Sequence, residues 1–144
     1  MVIDSSALIS ILLGEAEAVP FSKAIAGDPK RLVSVFSVLE TSIVIEAKKG
    51  EAGGRELDLL LHRAQILPVA LNEEQMELAR SVWRKYGRGR HPAGLNIGDC
   101  CSYALSMSSG EPLLFKGDDF AQTDVESVTN STARSSQEIL PVTG

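Results

Sequence analysis

Met1-Val2-Ile3-Asp4-Ser5-Ser6-Ala7-Leu8 opens the chain with three apolar residues, a carboxylate, two hydroxyls and a second apolar run. An apolar run without alternation reads as a short strand covered on both faces, which is the habit of strands in parallel sheets. Ser5 or Ser6 can cap a helix continuing through Ala7, Ile9, Leu12 and Leu13. Asp4 therefore stands where a buried strand hands over to a helix. A carboxylate placed there is half-buried, and burial of an acid demands a compensating partner.

The same unit returns further along. Arg31-Leu32-Val33-Ser34 reads as a strand, and Ser37 as the cap of a helix turning Leu39, Ile43, Val44 and Ala47 toward the core until Gly50 ends it. Leu57, Leu60, Leu61 and Ala64 mark another helix. Ile66 to Leu71 reads as extended despite Pro68, and Asn72 with Gln75 forms a capping-box signature before a helix using Met76, Ala79, Val82 and Trp83. After a basic, glycine-containing loop from Gly87 to Leu95, Asn96 caps a helix from Ile97 to Ser108 that Gly110 stops, and Leu113-Leu114-Phe115 is the last buried strand. Strands alternating with helices predict an α/β fold with a mainly parallel sheet, because each parallel connection needs a crossover.

The chain has 144 residues, 44% hydrophobic and 23% charged, which suits one soluble globular domain. It is expected to span residues 1–128, followed by a polar tail, 129–144, that is disordered or an engineered end. No stretch is long enough to cross a bilayer, no basic leader precedes an apolar core, and the adjacent Cys100 and Cys101 do not suit a disulfide. A cytoplasmic protein with two small buried thiols is the expectation. A formal charge of -5 disfavours a protein that coats nucleic acid, but permits a local basic surface beside an acidic site.

In open parallel sheets, ligands gather outside the carboxyl ends of the strands. Asp4 follows the first strand, Glu40 and Asp99 fall in the first turns of the helices assigned to Ser37 and Asn96, and Asp118-Asp119 follow the last strand. Each also has an ordinary reading. Glu40 completes a capping box with Ser37, Asp99 is an acid favoured by the dipole of the helix that Asn96 caps, and Asp118-Asp119 suit a turn. If the acids converge, each uncompensated contact near about 4 Å costs about 4 kcal/mol at an effective dielectric of about 20, so a cation must enter. Oxygen ligands without cysteine or clustered histidine select Mg²⁺ or Mn²⁺. Such an ion activates water and stabilises charge on a phosphodiester oxygen, which implies phosphodiester hydrolysis.

These residues, in order and spacing, resemble the successive motifs of PIN-domain ribonucleases of the VapC toxin type: Met1 to Leu8, Leu39-Glu40, Leu95 to Cys100, and Leu113 to Phe120. The resemblance covers about residues 1–128. It implies a PIN-like α/β/α sandwich with a mainly parallel central sheet, and a metal-dependent endoribonuclease acting as the toxin of a toxin–antitoxin pair. It also implies a Mg²⁺ or Mn²⁺ site on Asp4, Glu40 and Asp99, with Asp118 or Asp119 as fourth acid and Asp119 preferred. Ser6 would position a water. A homodimer and a VapB-like antitoxin are the implied partners, the antitoxin filling the crevice with a basic side chain. Ser5 stands where many members have threonine, which keeps the hydroxyl.

Arg84, Lys85, Arg88 and Arg90, with His91, precede Asp99 and could bring RNA phosphates to the crevice, and Lys116 is a further candidate. Tyr86 is the best-placed aromatic for base stacking, and His62 reads as a surface or packing residue. Two other readings use related chemistry. A receiver-like Mg²⁺-binding signalling domain resembles a pattern with paired acids after the first strand, where Ser5-Ser6 stand here. A non-catalytic partner-binding module would leave the four acids without a purpose.

Overall fold

The computed structural model describes residues 1–128, so the expected tail at 129–144 lies outside the described residues. Four strands, β1 (Val2–Ile3), β2 (Leu32–Ser34), β3 (Leu67–Val69) and β4 (Leu113–Leu114), pair in the order β3-β2-β1-β4, and every pairing is parallel. Six helices connect or flank them among the described residues: α1 (Ser5–Leu12), α2 (Ala18–Gly27), α3 (Val35–Lys49), α4 (Glu51–Arg63), α5 (Glu73–Tyr86) and α6 (Ile97–Ser109). Among the described residues, no helix is long and apolar enough to cross a membrane.

The strands are only two or three residues long, yet their alternation organises both layers. Successive side chains of a strand point to opposite faces. Val2, Leu32 and Leu113 enter one apolar cluster with Val82 and Tyr86 of α5 and Tyr103 and Leu105 of α6. Ile3, Val33 and Leu114 enter the other, with Ala7 and Leu8 of α1, Ile25 of α2 and Leu57 of α4. The registers Val2↔Leu32, Val2↔Leu113 and Ile3↔Leu114 place like-facing residues side by side, giving the α/β/α sandwich its two cores. Pro68 is accommodated because β3 is the edge strand, where a missing N–H breaks no ladder on its open side.

Several local expectations change. Asp4 itself caps α1, its carboxylate accepting from Ser6 N, so neither serine is the cap. Ser34, rather than Ser37, caps α3, which begins at Val35 and leaves Glu40 beyond the first turn. Ser37, Thr41 and Ile45 are the buried residues of α3, while Leu39 and Ile43 are 59% and 61% exposed rather than in the core. The α5 cap is half a capping box: Asn72 accepts from Gln75 N, but the Gln75 amide donates to Ala70 O. Helix α2 had no counterpart in the sequence reading.

Candidate active site

Because every strand runs the same way, β1, β2 and β4 deliver their carboxyl ends to one edge, and the connecting segments gather acids there. A crevice of about 270 Å³ at this edge is lined by Asp4, Ser6, Glu40, Asn96, Asp99, Lys116 and Asp119, among others. The crevice thus collects Asp4, Glu40, Asp99 and Asp119 with Ser6 and Lys116. Asp118, exposed on the loop after β4, is not in the lining.

Each acid is held differently. Asp4 is 2% exposed; Ser102 Oγ donates to its Oδ1 at 2.5 Å and Ser6 N to its Oδ2 at 3.0 Å. Glu40 Oε1 accepts from Ser5 Oγ at 2.6 Å. Asp99 closes a capping box on α6: Asn96 N donates to its carboxylate at 3.0 Å, and Asp99 N donates to Asn96 Oδ1 at 2.9 Å. The capping reading of Asp99 is therefore correct as structure, and the same carboxylate faces the crevice. Asp119 is exposed at the start of the 3-10 turn Phe120–Gln122, without a side-chain cap bond.

The electrostatics are those of a site lacking positive charge. Burial pushes the Asp99 carboxyl up to about 6, the Asn96 N–H opposes the rise, and the charges of Asp4, Asp119 and Glu40 add to it. None of the four acids forms an ion pair among the described residues. Lys116, the cation in the lining, is engaged elsewhere, its Nζ lying 3.2 Å from Glu15 and 3.3 Å from Glu17. Its backbone N donates to Ser6 Oγ at 3.0 Å.

The residues present suit a hard divalent cation. The donors are all oxygen and the charges are uncompensated, while among the described residues no group of three or more Asp, Glu, His or Cys side chains is already gathered closely enough to hold a metal ion, so the acids would have to draw together around it. An ion that retains waters and takes only a few carboxylates matches such an open set.

A linkage consequence follows for the metal-free protein. With the folded carboxyl of Asp99 near 6 and an ordinary value of 3.8, the folded state between about pH 4 and 6 keeps a proton that the unfolded chain has released. Stability should therefore fall as pH rises through that window. Thermal melts in chelator should show this fall in the parent relative to Asp99→Asn, and an identical pH dependence of the two would contradict it.

Gly98 is a steric element of the site. A Cβ there would lie 2.5 Å from Glu40 Oε1, so the bare backbone is what lets α6 approach that carboxylate. Gly98→Ala is expected to push the flexible end of Glu40 aside, lowering turnover at the crevice about tenfold or more while shifting stability little. Unchanged turnover would show that Glu40 need not sit there.

The proposed basic contacts fall apart spatially. None of Arg84, Lys85, Arg88 and Arg90 lines the crevice. Arg90 stacks over Trp83 at 4.8 Å and donates to Arg84 O, while Lys85 lies over Tyr86 at 5.0 Å. Arg84 lines a neighbouring apolar groove with Met76, Trp83 and Ile97. Tyr86 is 7% exposed in the core and so is not a stacking platform. His62 is exposed on α4. Ser5 and Ser102 donate hydrogen bonds to Glu40 and Asp4, contacts that the sequence does not announce. The available signal for Ser102 was its position one turn after Asp99 on α6.

The PIN domain family model matches residues 1–126. A ribonuclease VapC of Mycolicibacterium smegmatis is 57% identical over 128 residues, covering 89% of this chain and 99% of the relative. Ribonuclease VapC30 of Mycobacterium tuberculosis is 56% identical over 128 residues, covering 89% and 98%. Among solved structures, Mycobacterium tuberculosis VapC20, described as a sarcin-ricin loop cleaving toxin, superposes with a TM-score of 0.69 at 15% identity, covering 86% of this chain and 95% of that one. A toxin–antitoxin complex from Klebsiella pneumoniae gives a TM-score of 0.67 at 16% identity, covering 85% and 92%. At such identities the structural likeness speaks for the fold, whereas the sequence matches run nearly the full length of the relatives: this chain belongs to the PIN-domain family, in its VapC group.

Proposed function

We propose that this protein is a divalent-cation-dependent endoribonuclease, the toxin of a toxin–antitoxin pair, working in the cytoplasm. The observation that carries the reading is the crevice holding Asp4, Glu40, Asp99 and Asp119 without a compensating cation, in a chain whose relatives are named VapC ribonucleases. Family membership removes the receiver-like alternative.

Bound Mg²⁺ or Mn²⁺ supplies Lewis-acid stabilisation of phosphodiester charge and makes water a stronger acid. Asp4 is the fixed acid, immobilised at both oxygens by Ser102 and Ser6 N. Glu40 is aimed by Ser5, and Asp99 by the Asn96 amide. Asp119 is exposed and free of a cap bond, which suits an acid that adjusts when substrate arrives. Ser6 Oγ accepts from Lys116 N, which leaves its own proton to orient a water in the crevice. Arg84, Lys85, Arg88 and Arg90 would track RNA phosphates approaching along the end of α5, away from the reacting bond.

Exposed Val35, Leu39 and Ile43 on α3, and the groove holding Met76, Trp83 and Ile97, offer apolar surface to protein partners. A VapB-like antitoxin and a second copy of the chain are the partners proposed. The antitoxin would silence the site by placing an arginine or lysine among the carboxylates, where it competes with the metal.

Purified protein should cut single-stranded or loop RNA in Mg²⁺ or Mn²⁺ and stop when chelator is added. Co-expression with the small reading frame beside the toxin frame should restore growth. Intact RNA in the presence of metal would overturn the proposal.

A further inference from the structure

Asp4 stands at the end of a line of buried hydroxyls. Ser102 and Ser37 are both 0% exposed; Ser102 Oγ lies 2.5 Å from Asp4 Oδ1 and 3.2 Å from Ser37 Oγ. A serine hydroxyl has a single proton and an ionised carboxylate can only accept. The Ser102 proton is thus committed to Asp4, so in the serine pair Ser37 must be the donor. Thr41 Oγ1, also buried, donates to the Ser37 carbonyl at 2.7 Å and fixes that turn of α3.

The relay Ser37→Ser102→Asp4 joins the elements that carry the other acids. Ser37 lies one turn before Glu40 on α3, and Ser102 one turn after Asp99 on α6. Hydrogen bonds in series polarise one another, and a donor to a charged group is worth more than one to a neutral group.

We propose that Ser102 is a positioning residue for cleavage, oriented by Ser37, which holds Asp4 in register with Glu40 and Asp99; this rests on the nuclease reading above. The relay fixes which way the Asp4 carboxylate turns in the crevice that it lines. Neither serine touches substrate.

The test compares the parent with Ser102→Ala and Ser37→Ala, using RNA cleavage, Mn²⁺ binding by calorimetry, and thermal melting in chelator. Alanine is the best helix former, so both variants should fold. Ser102→Ala is expected to lower kcat about 10- to 100-fold with KM for RNA within about twofold, and to weaken Mn²⁺ binding several-fold. Ser37→Ala should move the same quantities in the same direction by less. If both variants keep kcat and Mn²⁺ affinity within about twofold of the parent while melting earlier, the serines are structural and the proposal is overturned. A larger loss for Ser37→Ala than for Ser102→Ala would overturn the direction of the relay. If the parent itself fails to cut RNA, the nuclease reading fails, and the three Mn²⁺ affinities still decide whether the relay positions Asp4.

Discussion

Asp99→Asn is expected to give a folded protein that barely cuts RNA. Two roles meet in this side chain, and asparagine separates them. As a cap, the residue needs one acceptor for Asn96 N, which the amide oxygen still provides. The lost dipole interaction amounts to about 0.3–1 kcal/mol, and relief from Asp4, Asp119 and Glu40 works in the opposite direction. The metal-free variant should therefore melt at or above the parent temperature at neutral pH. As a member of a charge cluster, the residue has no substitute: removing one electrostatic stabiliser costs on the order of 10²-fold or more in rate. Melting, Mn²⁺ titration and cleavage on one preparation check this. Cleavage close to the parent rate would reduce Asp99 to a helix cap.

The neighbouring pair Asp118 and Asp119 should split sharply. Asp119 lines the crevice and helps to push up the Asp99 carboxyl, whereas Asp118 does neither and contributes only its backbone carbonyl to the turn at Ala121. Asp119→Asn is expected to lower cleavage on the order of 10²-fold, and Asp118→Asn by no more than a few-fold. Both residues are exposed, so neither change should move stability beyond about 0.5 kcal/mol. The opposite ranking in side-by-side kinetics would assign the fourth acid to Asp118.

The sheet and the order of the acids were legible because they depend on short-range pattern. Val2-Ile3, Leu32-Val33 and Leu113-Leu114 are apolar at every position, as strands between two layers must be, and parallel strands necessarily share one carboxyl edge. The start of α3 was misread because Ser34 and Ser37 offer the same capping chemistry, and only the backbone distinguishes them. Leu39, Ile43 and Ala47 make an apolar stripe at helical spacing, which in sequence alone points inward. The true inner face holds Ser37 and Thr41, hydroxyls buried because each finds a partner, and hydropathy does not register such a face. Helix α2 begins without a side-chain cap, and Pro20, which its first turn accommodates because the N–H there needs no helical partner, reads in sequence as a breaker. The basic residues looked close to Asp99 because they are close in sequence. The loop instead folds back through the Gly87↔Leu95 bridge and keeps them near the end of α5. Ser102 carries only one signal in the sequence, its place one turn after Asp99, because a serine inside a helix has no marker of what it touches.

The decisive measurement is a Mg²⁺ titration of the purified protein, starting in chelator, that follows binding by calorimetry and cleavage of end-labelled RNA in parallel. If the acidic crevice works through a bound cation, cleavage is absent at zero Mg²⁺ and rises with the same midpoint as binding, and both signals collapse together in Asp99→Asn. Cleavage that persists in excess chelator, or a binding curve that Asp99→Asn leaves unchanged, would contradict a metal-dependent nuclease built on Asp4, Glu40, Asp99 and Asp119.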